Sequence, residues 1–250
     1  MGKIVRASPE KRQSNFSALR DKSFILNETT PFFIKEEYKT LRTNVMFSIP
    51  SEGCKVIGVS SAQSMEGKSI NCLNLAIAFA QTDARVLLID CDLRLPRQSS
   101  LIGLDAIPGV SNILVGMNKY TEAIKKTELY GLDVILSGDI PPNPSELLAS
   151  DNMDKLINQL KQHYDYIFID LPPINLVADT SIVSKFMSGL ILVVRASSTK
   201  RESIVKAISQ LELTGANVIG IVLNGVQVKS RITGKYGKYS KYGDYGNYGT

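Results

Sequence analysis

Residues 60–69 read Ser-Ser-Ala-Gln-Ser-Met-Glu-Gly-Lys-Ser, and the apolar run Val56-Ile57-Gly58-Val59 leads into them. A helix-like stretch, Asn71 to Gln81, leads out. Strand, loop closing on Gly-Lys-Ser, helix: this is the layout of a phosphate-binding loop. Backbone N–H groups in such a loop converge on phosphate oxygens, and the N-terminal end of the following helix adds partial positive charge. The expected nucleotide contacts are Ser64, Met65, Glu66, Gly67, Lys68, Ser69 and Ile70. Lys68 is placed to reach the outer phosphates, and the Ser69 hydroxyl to hold Mg²⁺. The loop departs from the common pattern twice, with Ala62 where a first Gly is usual and Met65 where a second is common.

Two further strands complete such a site. Arg85-Val-Leu-Leu-Ile-Asp-Cys-Asp-Leu-Arg94 is apolar through its middle and too short for a helix, so it reads as a strand buried on both faces. It closes on Asp90 and Asp92, followed by Arg94. Ligands of open α/β sheets lie at the carboxyl ends of strands, where acids suit Mg²⁺ or a proton. Arg94 reads either as a phosphate stabiliser or as a link to a neighbour. Tyr166-Ile-Phe-Ile-Asp170 closes the same way, and Asp170 suits the Mg²⁺ side of a phosphate loop. Asp179 reads as an outer support of the site or as a helix cap. Leu190–Val194 and Val218–Leu223 are two more strands, joined by an amphipathic helix around Arg201–Leu213 with Gly215 as its C-cap. Asn224, at the end of the last strand, reads either as a reader of the adenine edge or as a turn residue. These pieces predict one α/β, P-loop NTPase-like domain, a mostly parallel sheet with helices on both faces, over residues 31–228.

The rest of the chain frames that domain. Residues 1–30 are polar without a sustained period and read as a flexible arm. A helix is predicted over 34–47, with Ile34, Tyr38, Leu41 and Val45 on one face and Glu36, Lys39 and Arg42 on the other. The charged face fits a solvated surface with i,i+3 pairs, or a contact with another subunit. Leu114, Met117 and Tyr120 suggest a short helix and Asp133-Val-Ile-Leu a brief strand. The loop Ser137-Gly-Asp-Ile-Pro-Pro-Asn-Pro-Ser-Glu-Leu-Leu is rich in turn residues, with Ser145 as a candidate cap. Met153, Leu156, Ile157 and Leu160 mark a helix ending by His163. That histidine is the single one in the chain, which removes most of the appeal of Ser-His-Asp and zinc chemistry. Cys54, Cys72 and Cys91 have no metal spacing and read as reduced thiols of a cytoplasmic protein. No apolar run approaches the ~20 residues of a membrane span.

The net charge of +5 is unevenly distributed. Residues 1–27 carry six Lys/Arg against two acids, and residues 229–250 five against one, so each end is +4 and the middle −3. A basic balance made by two ends does not describe a nucleic-acid groove. It fits solvated ends, or attraction to an acidic partner or an anionic membrane face. Residues 229–250 form the second compositional unit, expected to be disordered: beyond Ile232 they carry no aliphatic side chain. Tyr236, Tyr239, Tyr242, Tyr245 and Tyr248 recur every third residue, half of the chain's ten tyrosines. Such a segment cannot bury enough apolar surface to offset its ordering entropy. It fits weak self-association, or capture by a kinase site, where each modified Tyr gains about −1.5 to −2 charge.

Taken together, the sequence resembles the bacterial tyrosine kinases of capsular and exopolysaccharide synthesis, in the type common in Gram-positive bacteria, where the kinase is separate from its membrane modulator. The resemblance runs from about Pro31 to the C-terminus. It rests on three motifs, Ala62 to Ser69, the Asp-x-Asp-x-Arg run within Leu87 to Arg94, and Ile167 to Pro172, together with Pro-Pro-Asn-Pro-Ser-Glu-Leu-Leu at 141–148 and the tyrosine cluster. It implies ATP and Mg²⁺ as cofactors, with Lys68, Asp90, Asp92 and Asp170 as the catalytic set and Ser69, Asp92 and Asp170 on the metal. Asp90 is the expected acceptor of the tyrosine proton, and the five tail tyrosines are the phosphoacceptors, modified in trans. The family's helix motif of Glu, Arg and Arg at three-residue spacing is read here as Glu36, Lys39 and Arg42, contacts of a ring-shaped homo-oligomer such as an octamer. Lys39 keeps the charge of the usual Arg but loses its planar fork. The implied partners are a membrane-bound polysaccharide co-polymerase or modulator, a cognate tyrosine phosphatase and protein substrates, with no nucleic acid. The implied location is the cytoplasm, at the inner membrane face through the modulator. Two other classes stand beside this reading: a P-loop ATPase switch of the cell-division or partition type, and a scaffold with a vestigial loop whose tail another kinase modifies.

Overall fold

A computed structural model describes residues 22–49 and 52–226 of the chain. The tyrosine cluster at 236–248 and most of the expected N-terminal arm lie outside the described residues. Seven strands form one sheet in the order β3-β4-β2-β5-β1-β6-β7. They are β1 (Lys55–Ser61), β2 (Val86–Asp90), β3 (Lys125–Lys126), β4 (Asp133–Ile135), β5 (Tyr166–Asp170), β6 (Gly189–Arg195) and β7 (Val218–Asn224). All pairings are parallel except that of β3 with β4. The expected parallel sheet therefore carries one antiparallel edge.

The central strands are apolar throughout because both faces are covered. Ile57, Val59, Leu88, Phe168, Ile191 and Val193 point into one layer of core. That layer is completed by helix α1 (Phe32–Ser48) and helix α2 (Lys68–Ala80). Val56, Leu87, Ile89, Ile167, Ile169 and Leu192 point the other way. They meet α7 (Asp151–Leu160) and α9 (Arg201–Leu213), among shorter helices. Every residue from Cys72 to Ala80 is buried, since α2 lies between the sheet and α1. Phe79 packs against Phe168 at 5.1 Å between ring centroids and against Tyr166 at 4.5 Å. Burying a Phe side chain stabilises by about 1.5–3 kcal/mol.

Several local expectations shift. One helix through Leu114, Met117 and Tyr120 is two, α4 (Val110–Leu114) and α5 (Tyr120–Ala123), parted where Gly116 takes a φ of 79°. Ser145 does not cap. Helix α6 (Pro144–Leu148) starts after Asn143 with Pro at its first position, and the Ser145 hydroxyl bonds elsewhere. His163 lies beside Tyr120, its Nε2 3.4 Å from the phenol oxygen, away from the strand ends that carry Asp90 and Asp170. The described part of the expected arm packs on the domain: Leu26 is buried, and its N–H donates to Asn74 Oδ1 at 2.9 Å. All three cysteines are free thiols, Cys72 and Cys91 buried. No described helix is long and apolar enough to cross a membrane.

Candidate active site

The carboxyl ends of β1, β2 and β5 meet at one point because the strands are in register. Val59 pairs with Asp170, and Asp170 with Asp90. The chain leaves β1 through residues 62–67 and enters α2 at Lys68, so the first turn of that helix faces the two aspartates. Gly67, with a φ of 91°, stands just before the helix in the left-handed region that favours glycine. A Cβ at Gly67 would also lie 2.1 Å from Asn224 Nδ2.

Lys68 occupies the centre. Its Nζ lies 2.8 Å from Asp92 Oδ2, 3.2 Å from Asp170 Oδ1 and 3.1 Å from Ser69 Oγ. The side chains of Lys68, Asp90, Asp92, Asp170 and Ser69 are all nearly or fully buried. Burial works against the charge of Lys68, but Asp170 and Asp92 outweigh it and hold its pKa above the ordinary lysine value. Among the described residues Asp90 forms no ion pair. Burial, with the neighbouring Asp170 charge, pushes its carboxyl up to about 8. Its two oxygens accept the N–H groups of Asp92 at 3.2 Å and Gln98 at 3.1 Å, which fixes the turn after β2. The expected proton acceptor is thus fully enclosed in this conformation, where it shapes the turn.

The predicted metal donors Ser69, Asp92 and Asp170 converge, with the Lys68 ammonium among them. Gln98 lies against two of these residues: its Nε2 donates to Asp170 Oδ2 at 2.9 Å and to the Ser69 carbonyl at 3.0 Å. Its Oε1 is buried without a hydrogen-bond partner. An all-oxygen donor set and an unpaired acceptor fit a hydrated Mg²⁺, whose waters donate hydrogen bonds. Among the described residues no three His, Cys, Asp or Glu side chains form a ready-made metal cage. That also suits Mg²⁺, which takes one or two carboxylates together with phosphate oxygens.

The outer loop residues divide. Ser64 and Met65 are exposed, and Ile70 is half-buried in the first turn of α2. Met65 takes a left-handed φ of 64°, which explains why Gly is common there, and its carbonyl accepts from Arg195 at 3.3 Å. The Glu66 carboxylate turns inward, away from where phosphate would sit. It accepts the Gln63 N–H at 2.9 Å and the Thr199 hydroxyl. Asn224 donates to the Glu66 carbonyl at 2.9 Å, so it braces the loop. A cleft of about 370 Å³ lined by Gln63, Ser64, Met65, Glu66, Arg195 and Ser198 opens beside this brace.

Arg94 pairs within the chain. Its Nε and Nη2 donate to Asp179 Oδ2 at 2.8 Å and Oδ1 at 3.1 Å, and Nη2 also donates to Ser145 Oγ at 2.8 Å. Asp179, fully buried in the first turn of α8 (Asp179–Val183), thereby ties the β2 end to Ser145 of α6. On α1, Lys39 pairs with Glu36 at 2.7 Å, and Arg42 Nη1 donates to the Ala78 carbonyl near the end of α2 at 2.6 Å. The sequence reading missed Gln98, Thr199 and Asn71. Gln98 opens the short helix α3 (Gln98–Ile102) and Thr199 lies in a loop, neither at any motif spacing, and Asn71 follows the loop motif as an ordinary helix residue.

A family profile described as an AAA domain matches residues 54–215, which covers the site from β1 to past α9. The tyrosine-protein kinase CpsD of Streptococcus agalactiae is 37% identical over 203 residues, 81% of this chain and 88% of CpsD. The tyrosine-protein kinase YwqD of Bacillus subtilis is 37% identical over 190 residues, 76% of this chain and 80% of YwqD. The crystal structure of the chimerical protein CapA2B2 superposes with a TM-score of 0.78 at 33% identity, covering 88% of this chain and all of that one. The septum site-determining protein MinD of Pyrococcus horikoshii gives a TM-score of 0.58 at 23% identity, a likeness of fold alone. The kinase reading of the sequence is supported over the cell-division ATPase reading, and the chain belongs to the bacterial tyrosine-protein kinases.

Proposed function

We propose that this kinase moves the γ-phosphoryl group of Mg-ATP onto the tyrosines of its C-terminal cluster, on a neighbouring copy, and thereby regulates capsular or exopolysaccharide synthesis and export. The supporting observation is the buried Lys68 ammonium bonded to Ser69, Asp92 and Asp170 at the start of the phosphate-loop helix. A vestigial loop would have no reason to keep an ammonium and three carboxyl groups out of water, because burying charged and polar groups is costly unless a ligand uses them.

The residues divide the work. Lys68 exchanges its carboxylate partners for the outer phosphate oxygens, where its charge offsets the negative charge of the transferring group. Ser69, Asp92 and Asp170 are then free to hold Mg²⁺ directly or through water, with Gln98 orienting Asp170. Bound Mg²⁺ supplies charge neutralisation between the phosphates. The tyrosine oxygen forms the new P–O bond as the bond to the ADP oxygen breaks. A phenol has a pKa near 10, so a carboxylate placed to take its proton assists. Asp90 is the proposed acceptor, reached when the turn it holds at Asp92 and Gln98 opens.

The oligomer is proposed to form through the charged face of α1, with Glu36, Lys39 and Arg42 exchanging partners within the chain for partners on the next subunit. A membrane-bound modulator is proposed to recruit the kinase from the cytoplasm to the inner membrane face. The domain plan of an arm, a kinase domain over 31–228 and a tyrosine tail is part of the same proposal. So is reversal of the modification by a tyrosine phosphatase. A mixing experiment tests the direction of transfer. A chain with Tyr236, Tyr239, Tyr242, Tyr245 and Tyr248 all changed to Phe supplies an intact site, and Lys68→Met supplies an intact tail. Phosphotyrosine on the Lys68→Met chain is expected. A mixture that releases phosphate without labelling that chain refutes transfer in trans.

A further inference from the structure

We propose that Tyr38 is a positioning residue of the nucleotide site, which ties the docking of α1 to the backbone that grips phosphate. The inference rests on residues 60–69 being that site. Tyr38 lies on the inner face of α1, half-buried against α2. Its hydroxyl donates to Asn71 Oδ1 at 3.0 Å and accepts from Asn74 Nδ2 at 3.1 Å. A phenol has one proton to give, so a donor from Asn74 leaves that proton for Asn71. With Oδ1 held, the Asn71 amide has one orientation, and its Nδ2 donates to the Gly67 carbonyl at 2.9 Å. The Asn71 backbone N–H reaches the same carbonyl at 3.1 Å.

The consequence follows from the planarity of the peptide unit. The Gly67 carbonyl and the Lys68 N–H belong to one trans peptide and point in opposite directions. Fixing the carbonyl toward Asn71 aims the Lys68 N–H into the mouth of the loop. Gly67 has a φ of 91° and no Cβ to restrict it, so the tether supplies an order that the residue itself lacks. Asn74 joins the preceding segment to the same relay, donating to the Phe24 carbonyl at 2.8 Å and accepting from Leu26 N–H. Tyr38 sits between Glu36 and Lys39, on the turn proposed to meet another subunit, so the relay joins that face to the phosphate loop. A hydrogen-bond path becomes coupling only when energies are shared along it, which a double-mutant cycle measures.

The full chain is titrated with ADP in MgCl₂ as wild type, Tyr38→Phe, Asn71→Ala and the double variant. Tyr38→Phe keeps the ring and its packing and removes the hydroxyl, and with it both the bond to Asn71 and the one accepted from Asn74. It is expected to weaken ADP binding by roughly fivefold, the worth of one hydrogen bond. Asn71→Ala is expected to weaken it by at least as much, and the double variant no further than Asn71→Ala. ADP affinity within twofold of wild type for Tyr38→Phe, or single effects that multiply in the double variant, overturns the inference alone. A wild-type chain that binds no ADP overturns the nucleotide reading, and the inference with it.

Discussion

Strands β2 and β5 lie side by side and carry charge at both ends. Just before their first residues, Arg85 grips Asp165 through two side-chain bonds, at 2.7 Å and 3.2 Å, with side chains 62% and 43% exposed. At their last residues, Asp90 and Asp170 sit with Asp92 and Lys68, and all four are nearly or fully buried. The first group balances one charge with one and stays in water. The second sets three carboxyl groups, Asp90 held largely protonated at neutral pH, against one ammonium and excludes water. An exposed pair is screened by water, contributes little and does no more than hold the strand starts together. A buried, unbalanced group is unfavourable in the folded chain alone and is relieved by a ligand that brings positive charge, which marks it as functional.

Substitutions at the two ends sharpen that contrast. The largest effect is expected for Lys68→Met, which should lower tyrosine labelling by about 10²–10³-fold or more, as loss of a preorganised charge at a transferring group does. Arg94→Met follows. It leaves the fully buried Asp179 without its cation, but Arg94 is itself 37% exposed, so the loss falls short of that for a fully buried pair and is expected at about 1–3 kcal/mol, read from a urea unfolding curve. Wild-type stability in that variant would show that the bond from Ser145 alone suffices for Asp179.

Met65→Gly should change the unfolding free energy by no more than about 1 kcal/mol, toward greater stability, because relief of left-handed strain slightly exceeds the added chain entropy. Arg85→Ala should be smallest, with a urea unfolding midpoint close to wild type and no effect on labelling. A marked loss of labelling in Arg85→Ala would erase the distinction between the two ends.

How much of this was legible in the sequence follows the same division. Asp90, Asp92 and Asp170 were legible because each ends an apolar run, and strand ends are where a parallel sheet puts its ligands. The strand–loop–helix around Lys68 was legible for the same local reason. What the sequence concealed depends on distance along the chain. Arg94 meets Asp179 and Ser145 across 85 and 51 residues, and nothing local announces either bond. Gln98 reads as one polar residue among many after the β2 motif, yet it touches Asp170 and Ser69. The β3 edge strand is two lysines, with no apolar alternation to mark it. Glu66 sits in the middle of the loop motif and still turns inward, because Thr199 offers its carboxylate a partner that no spacing rule includes.

The unbalanced charges at the ends of β2 and β5 are proposed to serve transfer of phosphate to tyrosine. Mass-spectrometric mapping of the full chain after incubation with Mg-ATP, with and without the cytoplasmic segment of a membrane modulator, tests this role most directly. Phosphate is expected on Tyr236, Tyr239, Tyr242, Tyr245 and Tyr248 in the wild type and on none of them in Lys68→Met. Phosphotyrosine at the wild-type level in Lys68→Met, or free phosphate with an unmodified tail in every wild-type sample, would contradict it.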